Sequence, residues 1–276
     1  MELHSLKVFD TKIFFWIHGE GKPLLFIHGH RSDALRWRGV ILFLGKKFKV
    51  YAPDLPGFGK SPPFKNKKHS MENYAFYLNE FVRILNLKDY HLFGGSMGGI
   101  IALNMVLLNP KIKPTKLVLV GTPYDKKFWK MSLTKKLGLF FLDKLPFLLN
   151  LGQKIINNDF LLYHLLYIFF PQKARRREII EYEMKQWRVM PIRIWFETMK
   201  ETLGVNFAKE KKKIKIPTLI FNSQKDQYFK KEETLTGLKK LCPNSKIFLL
   251  PFPEHVPKGE LTLASLLPFE PFLEEL

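Results

Sequence analysis

The 276-residue chain is expected to fold as an α/β protein, a mostly parallel sheet with helices on both faces. Three observations carry that expectation. Short apolar runs alternate with longer stretches of helical spacing along most of the chain. The alternation stops between Pro123 and about Lys209, where no run has strand character. Finally, the segment YHLFGGSMGGIIALN, Tyr90 to Asn104, crowds four glycines around Ser96 at the junction of an apolar run and a helical one.

Taken in order, LHSLKVF and KIFFWIH read as strands about a turn at Asp10-Thr11, and Gly19 to Lys22 makes another turn. PLLFIHG is a buried strand ending in glycine. FKVYAPD is the next, closed by a loop rich in proline and glycine. From Ser70 to Leu85, the residues Tyr74, Tyr77, Leu78, Phe81 and Leu85 share one helical face, with Ser70 placed to cap it. DYHLFGG is a strand, Met97 to Leu108 a helix stopped by Asn109-Pro110, and TKLVLVG a strand again. Later come IPTLIFN, a helix over Lys231 to Leu241, and SKIFLLP. A last helical stretch near Leu261 to Leu273 carries Pro268 and Pro271, which would break or kink it. There is no internal repeat and no low-complexity tract.

Apolar residues make up 46% of the chain and 26 residues are Phe, enough for a sizeable core without disulfides or metal. The single cysteine, Cys242, excludes an internal disulfide and a zinc site built from several cysteines. No metal or cofactor is expected. The apolar run FLLYHLLYIFF, Phe160 to Phe170, is too short to span a bilayer and is stopped by Pro171. The opening MELHSLKVFD carries Glu2 and no long apolar run, so no signal peptide is expected and a cytoplasmic location is. The net charge is +20, from 45 basic and 25 acidic side chains. The basic residues are mostly lysine and spread along the chain, with tight clusters at Arg175 to Arg177 and Lys211 to Lys213. A solvated surface accounts for most of this excess, with peripheral contact to an anionic membrane surface as the functional alternative. Nucleic acid is not an expected partner.

Gly94-Gly95-Ser96-Met97-Gly98 fits G-x-S-x-G with a strand before it and a helix after. Such an abrupt turn gives the serine strained backbone angles and brings neighbouring segments close, so side chains at Gly94 and Gly98 would clash. It also lifts the hydroxyl out of the sheet and aims the N–H groups of a helix N-terminus at it. A phosphate loop is the rival reading. The Walker pattern fails because no Gly-Lys-Ser/Thr follows, and G-x-G-x-x-G fails because Ser96 stands at its second glycine.

At this point the chain resembles the α/β-hydrolase fold family. Phe26-Ile27-His28-Gly29-His30, with Trp37 beyond, looks like that family's strand-HG-loop segment, and APDLPGFGKS, Ala52 to Ser61, like its D-x-P-G-x-G-x-S loop. Gly121-Thr122-Pro123 resembles the strand end where a lid is inserted. PTLIFNSQKDQYF, Pro217 to Phe229, resembles the segment of the acid, and FPEHVPKGE, Phe252 to Glu260, the histidine loop. The resemblance covers about Val8 to Thr122 and Ile216 to Leu273. It implies an eight-stranded, mostly parallel sheet, with a core over 1–122 and 209–276 and a helical lid over 123–208.

The resemblance also implies a triad in the chain order Ser96, Asp226, His255, with the backbone N–H groups of His30 and Met97 as the oxyanion hole. Gly29 belongs to the oxyanion loop. Asp125, just after Gly121-Thr122-Pro123, is the alternative acid. His255 follows Glu254, where the family usually has glycine. His28, Asp54 and Ser61 are expected to hold structure. Relatives of this fold that dehalogenate alkanes or open epoxides use aspartate at the nucleophile, so Ser96 implies acyl transfer.

The expected activity is hydrolysis of an apolar carboxylic ester of medium or long acyl chain, the lid's apolar runs walling an acyl pocket. The alternatives are a C–C bond hydrolase, an amidase such as an iminopeptidase, and a catalytically silent membrane-surface or ligand-binding module. Trp187, Arg188, Arg193 and Trp195 resemble the lids of C–C hydrolases, but Val256 stands where those enzymes usually carry an aromatic. The basic lid argues against an iminopeptidase, which needs an acidic pocket for the substrate amine.

Overall fold

The structure, a computed structural model, describes residues 1–169, 177–250 and 275. Strands β1 (Glu2–Val8) and β2 (Thr11–His18) pair antiparallel, with Val8 opposite Thr11. The turn therefore falls on Phe9-Asp10, one residue before the expected Asp10-Thr11, with Phe9 at φ 52°. Burial sets this register: Thr11, Ile13 and Phe15 form the inward-facing set of β2, so pairing must begin at Thr11.

The chain continues through β3 (Lys22–Ile27), α1 (Arg38–Leu44), β4 (Phe48–Pro53), α2 (Met71–Ile84), β5 (His91–Gly95), α3 (Met97–Leu107) and β6 (Lys116–Val120). An insertion follows, with α4 (Leu133–Lys144), α5 (Phe147–Asn157), α6 (Asp159–Phe169), α7 (Arg177–Trp187) and α8 (Ile192–Gly204). The chain then rejoins the sheet with β7 (Thr218–Ser223), α9 (Lys231–Leu241) and β8 (Ser245–Leu250). The sheet has eight strands in the order β1-β2-β4-β3-β5-β6-β7-β8, parallel from β4 to β8. The expected final helix near Leu261 to Leu273 lies outside the described residues.

Period two along the strands divides the interior. Leu25 and Ile27 join the core formed with α2 and α3, whereas Leu24 and Phe26 join the core formed with α1. Central parallel strands are buried on both faces, which is why β3, β6 and β7 read as continuous apolar runs. Helix α1 was not foreseen. After Arg38 its sequence, RGVILFL, is an unbroken apolar run, so periodicity does not separate it from a strand. Cys242 caps the C-terminus of α9 in the larger core, where burial pushes its thiol up to about 12. Among the described residues, no helix is long and apolar enough to cross a membrane.

Helix α2 shows how local sequence fixes an element. The Ser70 hydroxyl accepts from the Asn73 N–H at 3.2 Å, and the face carrying Tyr74, Tyr77, Leu78 and Phe81 is buried. Replacing Ser70 with Ala should cost about 1 kcal/mol, read as a lower urea midpoint at unchanged slope, while Ser70→Asp should hold the wild-type midpoint. Equal midpoints for Ser70→Ala and wild type would remove the cap from this account.

Candidate active site

Ser96 sits between the last residue of β5 and the first of α3, with φ 52° and ψ −116°. An L-residue in this region costs about 1–3 kcal/mol, which surrounding packing must over-determine. Its N–H donates to the Val120 carbonyl at 2.7 Å, and its own carbonyl accepts from Gly99 at 3.0 Å. A Cβ on Gly94 would strike the Gly98 carbonyl, and one on Gly98 would strike the carbonyls of Ile27 and His28 on the neighbouring strand. Both positions thus require glycine, as the spacing implied. Because α3 starts at Met97, the N–H groups of Met97 and Gly98 have no carbonyl of the same helix to donate to.

The loop after β3 passes over this turn. A Cβ placed on Gly29 would lie 3.4 Å from the Ser96 Cβ, so the backbone leading to His30 passes close to the serine. His28 fastens the loop from below. Its Nδ1–H donates to the Gly29 carbonyl at 2.9 Å and its Nε2 accepts from the Leu55 N–H at 3.1 Å. Only the neutral ring can do both, and burial lowers its pKa to about 4. Asp54 accepts from the N–H groups of Ala34 at 2.9 Å and Lys60 at 3.0 Å, and burial raises its pKa to about 6. The Ser61 hydroxyl accepts from the Phe14 N–H at 2.9 Å. All three hold loops in place.

The insertion reaches the same loop through Trp195 and Trp187, which the sequence singled out, and through Glu183 with Arg31 and Arg36, which it did not. The His30 Nε2–H donates to the Trp195 carbonyl at 3.0 Å, and burial lowers that imidazole to about 4. Arg31 takes φ 50° and donates to Glu183 of α7 at 2.9 Å. Arg36 approaches the other oxygen of Glu183 at 3.6 Å. The Arg31 guanidinium also covers the Trp187 ring at 4.8 Å, and Trp187 packs on Trp195 at 5.9 Å between centroids. Arg188, by contrast, is engaged within the insertion, donating to the Ile156 carbonyl and to Asp159.

Asp226 follows β7. Its Oδ1 accepts from the N–H groups of Tyr228 at 2.8 Å and Phe229 at 3.4 Å, and the residue is buried. Asp125 follows β6 and accepts from the Lys127 N–H at 2.8 Å, capping a short turn where it bridges to Asn206. His255 lies outside the described residues. Ser96, His30, Asp125 and Asp226 all follow the carboxyl ends of parallel strands, the edge where open α/β sheets bind ligands. Among the described residues, no group of His, Cys, Asp and Glu could hold a metal ion.

Two measurements test this geometry. Glu183 is a buried carboxylate between two guanidiniums, so Glu183→Gln should lose about 3 kcal/mol in urea unfolding, and pairing it with Arg31→Met should restore part of that. A single variant as stable as wild type would dissolve the link. For His28, the unfolded chain binds a proton near pH 6.5 and the folded chain only near 4, so stability falls as pH drops through that window. His28→Gln should remove up to about 3 kcal/mol of that loss, seen as a flatter difference in stability between neutral and acidic pH.

Comparison with known proteins agrees with the fold. A family model described as the alpha/beta hydrolase fold matches residues 22–257. A pimeloyl-[acyl-carrier protein] methyl ester esterase of Wigglesworthia glossinidia brevipalpis is 29% identical over 201 residues, covering 68% of this chain and 75% of its own. Lipase 1 of Psychrobacter immobilis is 27% identical over 246 residues, covering 87% and 73%. A solved structure of a thermophilic esterase from Thermogutta terrifontis superposes with a TM-score of 0.69 at 20% identity, covering 100% of this chain and 96% of its own. With its sheet order, its strained serine between β5 and α3 and a family match over most of its length, the chain belongs to the α/β-hydrolase fold family.

Proposed function

We propose that the protein is a carboxylic ester hydrolase that cleaves an apolar ester, with a medium or long acyl chain, through an acyl-enzyme on Ser96. The observation that carries this reading is the Ser96 backbone at φ 52° and ψ −116°, at the start of an otherwise apolar helix. Such strain has no packing benefit of its own. It presents a hydroxyl to a site bordered by helix N–H groups. The esterase and lipase likenesses support ester bonds as the target.

In this mechanism His255 takes the Ser96 proton as the oxygen attacks the ester carbonyl, then returns it to the departing alcohol. Water repeats the sequence on the acyl-enzyme. Asp226 orients the imidazole and stabilises its charge. β6 separates the strands that carry Ser96 and Asp226, a gap of about 10 Å that an imidazole between them would bridge. The backbone N–H groups of Met97 and His30 receive the oxyanion, a contribution on the order of 10²- to 10³-fold in rate per donor. The His30 ring stays neutral and is occupied by the Trp195 carbonyl, so it contributes through its backbone.

The insertion acts as a lid over 123–208 on a core formed by 1–122 and 209–276. The half-buried Trp195, beside His30 and backed by Trp187, gives an apolar wall to the acyl side. With Arg188 turned to Asp159 and Ile156, the arginine is spent away from a substrate carboxylate, which favours an ester over a dienoic ketoacid.

The test is hydrolysis of a chain-length series of nitrophenyl esters. Wild type should turn over, best on chains longer than acetyl, and Ser96→Ala should lose at least about 10³-fold in kcat at similar KM. Asp226→Asn should lose far more activity than Asp125→Asn. The reverse order would move the acid to Asp125, and full activity in Ser96→Ala would end the acyl-enzyme reading.

A further inference from the structure

In the insertion an apolar stripe faces the wrong way for a globular protein. On α4, Leu133, Leu137, Phe140 and Phe141 repeat at i, i+4, i+7 and i+8, a single helical face, and all four are exposed. Among the described residues of this helix, Leu139 and Leu142 are half-buried and none joins a buried cluster. Helices α5 and α6 do have inward faces, where Ile156, Leu162 and Leu166 pack on Ile180 and Met184 of α7. They nevertheless also expose large apolar groups, with Phe147 at 61%, Phe160 at 68% and Ile168 at 65% of full exposure, against 71% for Leu133. Singly these would be ordinary, but a patterned helical face with exposed aromatics on two adjoining helices marks a docking surface.

The charge around this face selects the partner. Helices α4 to α6, residues 133–169, hold four basic and two acidic side chains. Both acids are occupied inside the insertion, Asp143 by Lys200 at 2.5 Å and Asp159 by Arg188 at 2.6 Å. The face is therefore apolar within a positive surround, on a chain of net charge +20. A second copy of the chain would bring the same charge against it and be repelled. A lipid surface with anionic headgroups satisfies both features. Phe and Leu side chains enter the boundary between headgroups and acyl chains, and each nearby lysine or arginine adds about 1 kcal/mol.

We propose that the outward face of α4, with the adjoining exposed residues of α5 and α6, docks the protein on anionic phospholipid bilayers. This goes beyond the hydrolase chemistry and does not depend on Ser96. Docking places the insertion in the headgroup region, where apolar acyl substrates are concentrated.

The experiment is co-sedimentation of the full-length protein with phosphatidylcholine vesicles, with and without phosphatidylglycerol, at low and high salt. Wild type and Ser96→Ala should both bind the anionic vesicles at least about tenfold more tightly than the neutral ones, and salt should weaken that binding. The double variant Phe140→Ser/Phe141→Ser should bind about tenfold more weakly, with unchanged thermal melting and unchanged hydrolysis of nitrophenyl acetate. Equal binding to both vesicles, undiminished binding by the double variant, or no binding at all would overturn the inference. So would a wild-type dimer in ultracentrifugation that the double variant abolishes, which would assign the face to a second copy. Vesicle binding by a wild type that hydrolyses no ester would sink the ester reading and leave this one standing.

Discussion

The site depends on one close approach, that of α3 to β3 at Gly98. The carbonyls of Ile27 and His28 occupy the space where a side chain would stand. That contact forces the chain to leave β5 and enter α3 in a single residue, and the strain falls on Ser96. The same approach brings the loop after β3 against the turn, so the strained serine and the backbone of that loop are brought together by one packing event. A looser helix would relax the serine and withdraw the loop at once.

A second layer of order comes from buried polar groups that are each given partners. His28 and Asp54 together receive three backbone N–H groups in the loops beneath the site, and the His28 ring donates to a fourth backbone group. Glu183 joins Arg31 and Arg36 across the boundary between the insertion and the sheet. In the interior an unpaired polar group is costly, so these contacts discriminate strongly between the native loop arrangement and its neighbours. The strained backbone at Arg31 belongs to this layer: its guanidinium must meet Glu183 and Trp187 while His30, one residue earlier, meets Trp195.

Much of the fold was legible because its physics is local. Buried parallel strands announce themselves as apolar runs, Ser70 announces the start of α2, and glycines on both sides of Ser96 announce a tight junction. Helix α1 was hidden because seven mostly apolar residues buried against β4 leave no period to read. The contact of Arg31 with Glu183 spans 152 positions, and an ion pair leaves no trace in either neighbourhood. Local contacts do not separate Asp226 from Asp125, since both carboxylates show the same ordinary turn pattern, and the preference for Asp226 comes from the family resemblance of its segment. The direction in which α4 presents its apolar residues was likewise not readable, because a helical stripe looks the same whether it faces a core or a partner.

The lone cysteine has a practical corollary. Cys242 is fully buried at the end of α9, and its thiol is held protonated far above neutral pH. Thiolate, the species that reacts with alkylating reagents, is thus nearly absent while the native packing persists. Alkylation of the untouched protein becomes a clock for opening of that part of the core. Equally, a cysteine introduced on any exposed helix could carry a fluorescent or spin label selectively, with no need to remove the native thiol first.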